Sequence, residues 1–178
     1  MIDPKLLTVS ARRNQLVMGI GVVLICGGGL AFSIGMLAMP QSMSETLARL
    51  IGVPGGPIET WQAAALAMIG AVHLSIWILV LSTAQRMFGH LSQGNPEMAA
   101  RSARVLSNAL WVMLAWGLIS QALCSAVATW SLPAGERSIS LAVGPLQVSL
   151  ILSALIAGVL TRALALGAEL WRDHKGII

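Results

Sequence analysis

A single histidine, His73, is the residue whose type and position most readily suggest chemistry. It is the only histidine within an apolar run long enough to cross a bilayer, the run from 61 to 83. An ionisable group at that depth is costly and marks a candidate functional site. A neutral imidazole is cheaper than a charge, because a neighbouring hydroxyl or carbonyl group can satisfy it. His73 is therefore a candidate structural residue, a proton-linked or substrate-binding group, or a ligand to haem or chlorophyll magnesium.

The second candidate group is a set of arginines between two apolar runs. The polar segment 84–106 carries three arginines and one acid, Glu97. Its apolar side chains either pack within the protein or form a docking surface together with the arginines. For a docking surface, the candidate partner-binding residues are Arg86, Phe88, Leu91, Arg101 and Arg104.

Small residues form a third candidate site in the first apolar run. Gly27, Ala31 and Gly35 recur at four-residue spacing and so share one face of a helix. Small side chains let another membrane helix approach closely. The face either packs within this protein or, through Gly27 and Gly35, docks onto another membrane subunit.

No other pattern in the sequence points to a reaction. It holds no Ser-His-Asp set, no pair of carboxylates within an apolar run, no cluster with metal-ligand spacing and no phosphate-binding loop. Cys26 and Cys124 lack CxxC partners and are interpreted as small packing residues. We predict a protein that is not an enzyme and has no resident cofactor; His90 and His174 lie outside the apolar runs, which argues against a bis-histidine haem.

The composition predicts the fold that holds these residues in place. The chain is 56% hydrophobic and only 10% charged, with a mean hydropathy of +0.80, whereas soluble domains are about 25% charged. We predict an all-α integral membrane four-helix bundle, formed by one domain over residues 1–178. Its spans are about 15–39, 61–83, 107–130 and 141–166, joined by a cytoplasmic hairpin at 84–106, and each is long enough for a ~30 Å hydrocarbon core.

Basic residues predict the orientation of the bundle. Nine of the eleven lysines and arginines fall on one side, in the arms, in the middle hairpin and, for Arg162, at the inner end of the fourth span. Two, Arg49 and Arg137, fall in the other two loops. Because cytoplasmic loops collect basic residues, we predict that both termini and the hairpin are cytoplasmic. The net charge of +4 has the same explanation, so direct nucleic-acid binding is not predicted.

Local signals predict how the elements begin and end. Gly94 is a plausible helix stop, and Asn95-Pro96 suits the start of the next helix. Glu97 and Arg101 are four residues apart and can pair. Ser42 and Glu45 predict a short surface helix in the first outer loop, and Pro145 suits the start of the fourth helix. Gln121 and Ser125 are one turn apart, so we expect them to bond a neighbouring helix.

Two stretches give the chain a family resemblance. They are Gln85-Arg86-Met87-Phe88 through Gly94 to Arg101-Ser102-Ala103-Arg104, and Leu160-Thr161-Arg162-Ala163 with Gly167-Ala168-Glu169-Leu170, Asp173 and Gly176-Ile177-Ile178. In layout the chain resembles the bacterial four-span membrane proteins called "domain of unknown function two-nine-seven-five". Where that family has a phenylalanine after the hairpin glycine, this chain has Asn95-Pro96. The resemblance implies a multi-pass protein of the bacterial inner membrane, no enzyme activity, and a small Cro-type transcription regulator as a candidate cytoplasmic partner.

These observations predict a non-enzymatic interaction or accessory subunit. Its partners would be membrane lipid and a protein, either a larger membrane complex or a small cytoplasmic regulator. The alternative is a small transporter or channel, which needs polar groups that converge near the midplane. His73, Gln121 and Ser125 are the candidates for such a set.

Overall fold

The computed structural model describes residues 4–39, 59–133 and 135–175, and in these ranges all regular structure is helical. The helices are α1 (Pro4–Ala38), α2 (Thr60–Ser92), α3 (Pro96–Ala128) and α4 (Pro145–Lys175). Each contains a stretch long and apolar enough to cross a membrane. The predicted all-α four-helix membrane bundle is confirmed. The predicted surface helix at 42–51 lies outside the described residues.

The helices extend beyond the predicted spans. The predicted polar arm before residue 15 is helical from Pro4, so it continues α1. The extension of α2 beyond the apolar run and the start of α3 at Pro96 are both confirmed. The fourth helix begins at Pro145 rather than at 141, and residues 137–144 before it form no regular secondary structure.

Consecutive helices pack antiparallel, and the described parts of α1 and α4 do not pack extensively on each other. Gly19 lies near Gln85 and Gly29 near Leu74, so residue numbers rise along α1 as they fall along α2. The α1 start, the α2–α3 turn and the α4 end therefore share one end of the bundle, called here the hairpin end. The main core is formed by α2, α3 and α4, with Met113 at its centre and only Met18 of α1 added at its edge.

The turn between α2 and α3 has the helix stop, the helix start and the ion pair that the sequence predicts. Gly94 has a φ of 69°, a left-handed conformation that favours glycine, and it ends α2. Asn95 caps α3, since its side-chain oxygen accepts a 3.3 Å hydrogen bond from the Met98 amide. The predicted Glu97–Arg101 ion pair is present at 3.0 Å on the exposed surface. Each of these predictions is confirmed.

An extended segment, 137–144, runs back along α3 at the opposite end of the bundle. Its amides at Ser138, Ser140 and Ala142 donate hydrogen bonds of 3.0–3.3 Å to side-chain oxygens one helical turn apart on α3. These acceptors are Thr129, Ser125 and Gln121. The expectation that Gln121 and Ser125 bond a neighbouring helix is therefore wrong. They bond loop backbone instead, because the extended chain cannot satisfy its own amides and the α3 side chains do so.

Aromatic residues mark the same end of the bundle. The rings of Trp61 and Trp130 meet edge to face with centroids 6.4 Å apart, and the Arg137 guanidinium lies 5.1 Å from the Trp130 ring centroid. Tryptophan gathers where a membrane meets water. A cluster of this kind is typical of a membrane–water interface, which would then lie near residue 61 of α2.

Candidate functional site

His73 lines a cavity of about 300 Å³ between α1, α2 and α3. The α1 wall includes Gly28 and Phe32, and the α3 wall includes Ser120 and Cys124. The walls are mainly apolar, and His73 is the one ionisable nitrogen base on them. Gly28 is exposed and has open space beside it, so the cavity opens sideways at the α1 surface. The arrangement is a small apolar pocket that a molecule dissolved in the membrane can enter.

A hydrogen bond inside α2 assigns the protons of His73. The Trp77 indole N–H donates to His73 Nε2 at 3.1 Å. A neutral imidazole that accepts at one nitrogen carries its proton on the other, so His73 has its N–H at Nδ1. Among the described residues Nδ1 has no hydrogen-bond partner. His73 can therefore donate one hydrogen bond to a ligand, but it offers no lone pair to a haem iron or chlorophyll magnesium while the Trp77 bond is in place.

The polar set proposed for a transport path does not come together. Of His73, Gln121 and Ser125, only His73 lines the cavity. The side-chain oxygens of Gln121 and Ser125 accept backbone amides of the extended segment. Ser120 does line the cavity, although its hydroxyl donates to the Gly117 carbonyl within α3. The cavity is thus less polar than a transport site for a hydrophilic substrate requires.

The hairpin exposes its arginines together with Met98 and Val105. Arg86, Arg101 and Arg104 are exposed, whereas Phe88 packs against the main core and Leu91 is half-buried. The predicted docking surface is therefore cationic, and its phenylalanine serves internal packing. Arg101 and Arg104 also line a cleft of about 250 Å³ with two carboxylates, Glu97 of α3 and Glu169 of α4. Because these charges balance, the cleft is not a simple anion site.

The glycines of α1 fall into two groups. Gly19, Gly21 and Gly29 lie against α2 side chains, and a β-carbon at Gly29 would come within 2.5 Å of Leu74. Gly27, by contrast, is exposed, and nothing lies within 4 Å of a β-carbon built there. Ala31 is exposed and Gly35 is half-buried. Among the described residues the predicted small-residue face is thus largely without contacts, and a neighbouring face makes the close helix contact.

Sequence reasoning did not single out two features of the His73 site. The first is Trp77, whose i+4 spacing from His73 on a helix is a signal that could have identified the pair. The second is the opening at Gly28, which depends on which face of α1 meets α2 and has no sequence signal. Both cysteines are free, as expected, and within the described ranges no three His, Cys, Asp or Glu residues gather to hold a metal ion.

Comparison of the chain with protein-family models, with curated proteins and with solved structures gives no match. The resemblance to the four-span bacterial family therefore stays a prediction from the residues, and functional inference relies on the geometry of the chain itself.

Proposed function

We propose that this multi-pass membrane protein is a non-enzymatic accessory subunit of a bacterial inner membrane, which binds a larger membrane complex through α1. The single observation that carries the proposal is Gly27, a glycine in mid-helix with open space beside it. A glycine in the middle of an exposed apolar helix face lets the backbone of another membrane helix approach closely. Inside this chain that approach occurs at Gly29 instead.

The residues around Gly27 have the spacing of a helix–helix seam. Alternating steps of four and three residues place one side chain after another on the same stripe, as in a coiled coil. All members of this stripe, called here the α1 seam, are exposed: Leu16, Ile20, Val23, Gly27, Leu30 and Ile34. Gly27 stands in the middle, where two crossing helices would come closest.

The position of α1 in the bundle supports the same proposal. Only 6% of the residues in its most apolar stretch are buried, against 22% in α3 and in α4. It packs against α2 and contributes little to the main core. No described residue covers its outer face, so a partner could bind there without rearrangement of α2, α3 or α4.

A soluble cytoplasmic regulator is the second candidate partner, favoured by the exposed arginines of the hairpin. Arg86 and Arg104 form no ion pair with another described residue. They could attract an acidic surface on a small transcription regulator, the partner class that the family resemblance implies. Phe88 packs partly against the main core, so this surface lacks a fully exposed aromatic anchor, which favours the α1 seam. Replacement of Arg86, Arg101 and Arg104 with glutamine would release such a regulator and leave a membrane partner bound.

The test is purification of the native protein in a gentle detergent, with mass spectrometry of the proteins that accompany it. We expect a membrane complex to accompany the wild-type chain and to be lost from Gly27→Leu. Gly167→Leu is the matched control, because Gly167 is an exposed glycine on α4 that also has open space beside it. Wild-type protein that purifies alone, or a complex that survives Gly27→Leu, would show that the α1 seam is not a docking surface.

A further inference from the structure

We propose that the cavity at His73 binds the ring of a membrane-dissolved quinone, with the His73 Nδ1–H as donor to a quinone carbonyl oxygen. This inference does not depend on the proposed accessory role. It joins three features of the site: the apolar walls and small volume, the assigned donor, and the depth of the cavity in the membrane.

The volume and lining set the kind of ligand. At about 300 Å³ the cavity is at the lower end of ligand pockets, which span roughly 300–1,000 Å³. That volume suits a single substituted ring rather than a macrocycle. The opening at Gly28 faces sideways from the bundle, so a long apolar tail can remain in the surrounding lipid.

The hydrogen bond from Trp77 determines whether the ligand must donate or accept a hydrogen bond at His73. It holds Nε2 as an acceptor and leaves the proton on Nδ1. His73 lines the cavity, whereas Trp77 does not. The ring therefore turns its Nε2 edge to Trp77 and is left with one donor for the cavity, which requires an acceptor on the ligand. A carbonyl oxygen meets that requirement without bringing a charge into the membrane.

The depth of His73 distinguishes between the two common sources of a carbonyl. His73 is twelve residues beyond Trp61, about 18 Å along the helix, and Trp61 lies in the aromatic cluster that marks the interface. A hydrocarbon core of about 30 Å has its midplane about 15 Å from each face. His73 is thus near the midplane. The ester carbonyls of lipids stay close to the headgroups, whereas a quinone is uncharged and largely apolar, so its ring can reach this depth.

The experiment uses the full-length protein in lipid nanodiscs, titrated with a benzoquinone that carries a decyl chain. Quenching of tryptophan fluorescence reports binding, since Trp77 contacts His73. We expect saturable quenching for the wild type. Gly28→Leu should weaken binding at least tenfold, because its side chain occupies the open edge of the cavity. His73→Phe keeps a ring but loses the donor, which should weaken binding by about three- to tenfold.

Two controls separate the role of His73 from damage to the fold. The circular dichroism spectrum and the unfolding temperature of His73→Phe should match those of the wild type, so that its lost affinity does not come from lost structure. Gly117→Leu adds the same side chain as Gly28→Leu at a glycine on α3 that also has open space beside it and does not line the cavity. Linear, non-saturable quenching of the wild type would overturn the proposal. So would equal affinity of wild type and His73→Phe, or a cavity that binds only phospholipid.

Discussion

At the scale of single residues, neighbouring glycines of α1 have opposite environments. Gly29 is buried, and a β-carbon there would lie 2.5 Å from Leu74 Cδ1, whereas Gly27 is exposed with open space beside it. The two residues belong to one helix and differ by 200° around its axis, as two steps of 100° each. The same substitution made separately at each position therefore tests internal packing at Gly29 and the outer surface at Gly27 of the same helix.

We predict that Gly29→Leu destabilises the protein and that Gly27→Leu does not. Overpacking of a helix contact costs about 1–3 kcal/mol, and the larger side chain at position 29 must displace Leu74 or separate α1 from α2. Unfolding in detergent, followed by circular dichroism, measures the difference in the free energy of unfolding. A similar loss in both variants would contradict the assigned α1–α2 contact.

At the scale of the element, the extended segment 137–144 has its amides bonded to α3 side chains. Thr129 is 2% exposed. Its hydroxyl accepts a hydrogen bond from the Ser138 amide at 3.3 Å and donates to the Ser125 carbonyl at 2.8 Å, with the Ser138 carbonyl also within 3.2 Å. Ile139, Leu141 and Val143 alternate with the bonded residues and are exposed. The segment is therefore attached by its backbone rather than by apolar burial.

We predict that Thr129→Val releases the start of this segment. Valine has nearly the same shape, so no cavity forms, but the exposed Ser138 amide exchanges its acceptor for water, at a cost of about 0.5–1.5 kcal/mol. Hydrogen exchange should become faster at the Ser138 and Ser140 amides. Thr83→Val is the matched control, since Thr83 is also buried and its hydroxyl donates only to Leu79 of its own helix. Equal exchange in both variants would show that the hydroxyl does not attach the segment.

The extended segment also shows what sequence reasoning could not provide. Hydropathy continues across Leu141 and Val143, so periodicity and length do not separate extended from helical backbone there. Only Pro145 signals a helix start, and it does so correctly. The acceptors on α3 are distant in sequence, and their spacing of four residues also fits a contact with another helix. The hydrogen bonds from this segment to α3 therefore stabilise an extended backbone at 137–144 rather than a helical one.

At the scale of the whole molecule, the helix count and the α2–α3 turn could be predicted because each has a local cause. Apolar length sets the spans, and Gly94, Asn95 and Pro96 set the turn. The packing order could not be predicted in the same way. Lipid and protein interiors are equally apolar, so the hydrophobic pattern does not show which face of α1 meets α2. For the same reason the sequence identified His73 and did not identify the cavity beside it.

The start of α1, the α2–α3 turn and the end of α4 lie at one end of the bundle, so labelling at that end tests how the protein is oriented in the membrane. Nine of the eleven basic residues belong to the segments at the hairpin end, so we predict that this end faces the cytoplasm. In a background with Cys26→Ala and Cys124→Ala, single cysteines at Gln93→Cys and Gly135→Cys occupy exposed sites at opposite ends. A membrane-impermeant maleimide applied to intact spheroplasts should label position 135 and spare position 93, and permeabilised cells should show both. The reverse labelling pattern would overturn the predicted orientation and place the cationic hairpin outside the cell. A cytoplasmic regulator could not bind the hairpin there, whereas binding of a membrane partner at the α1 seam would be unaffected.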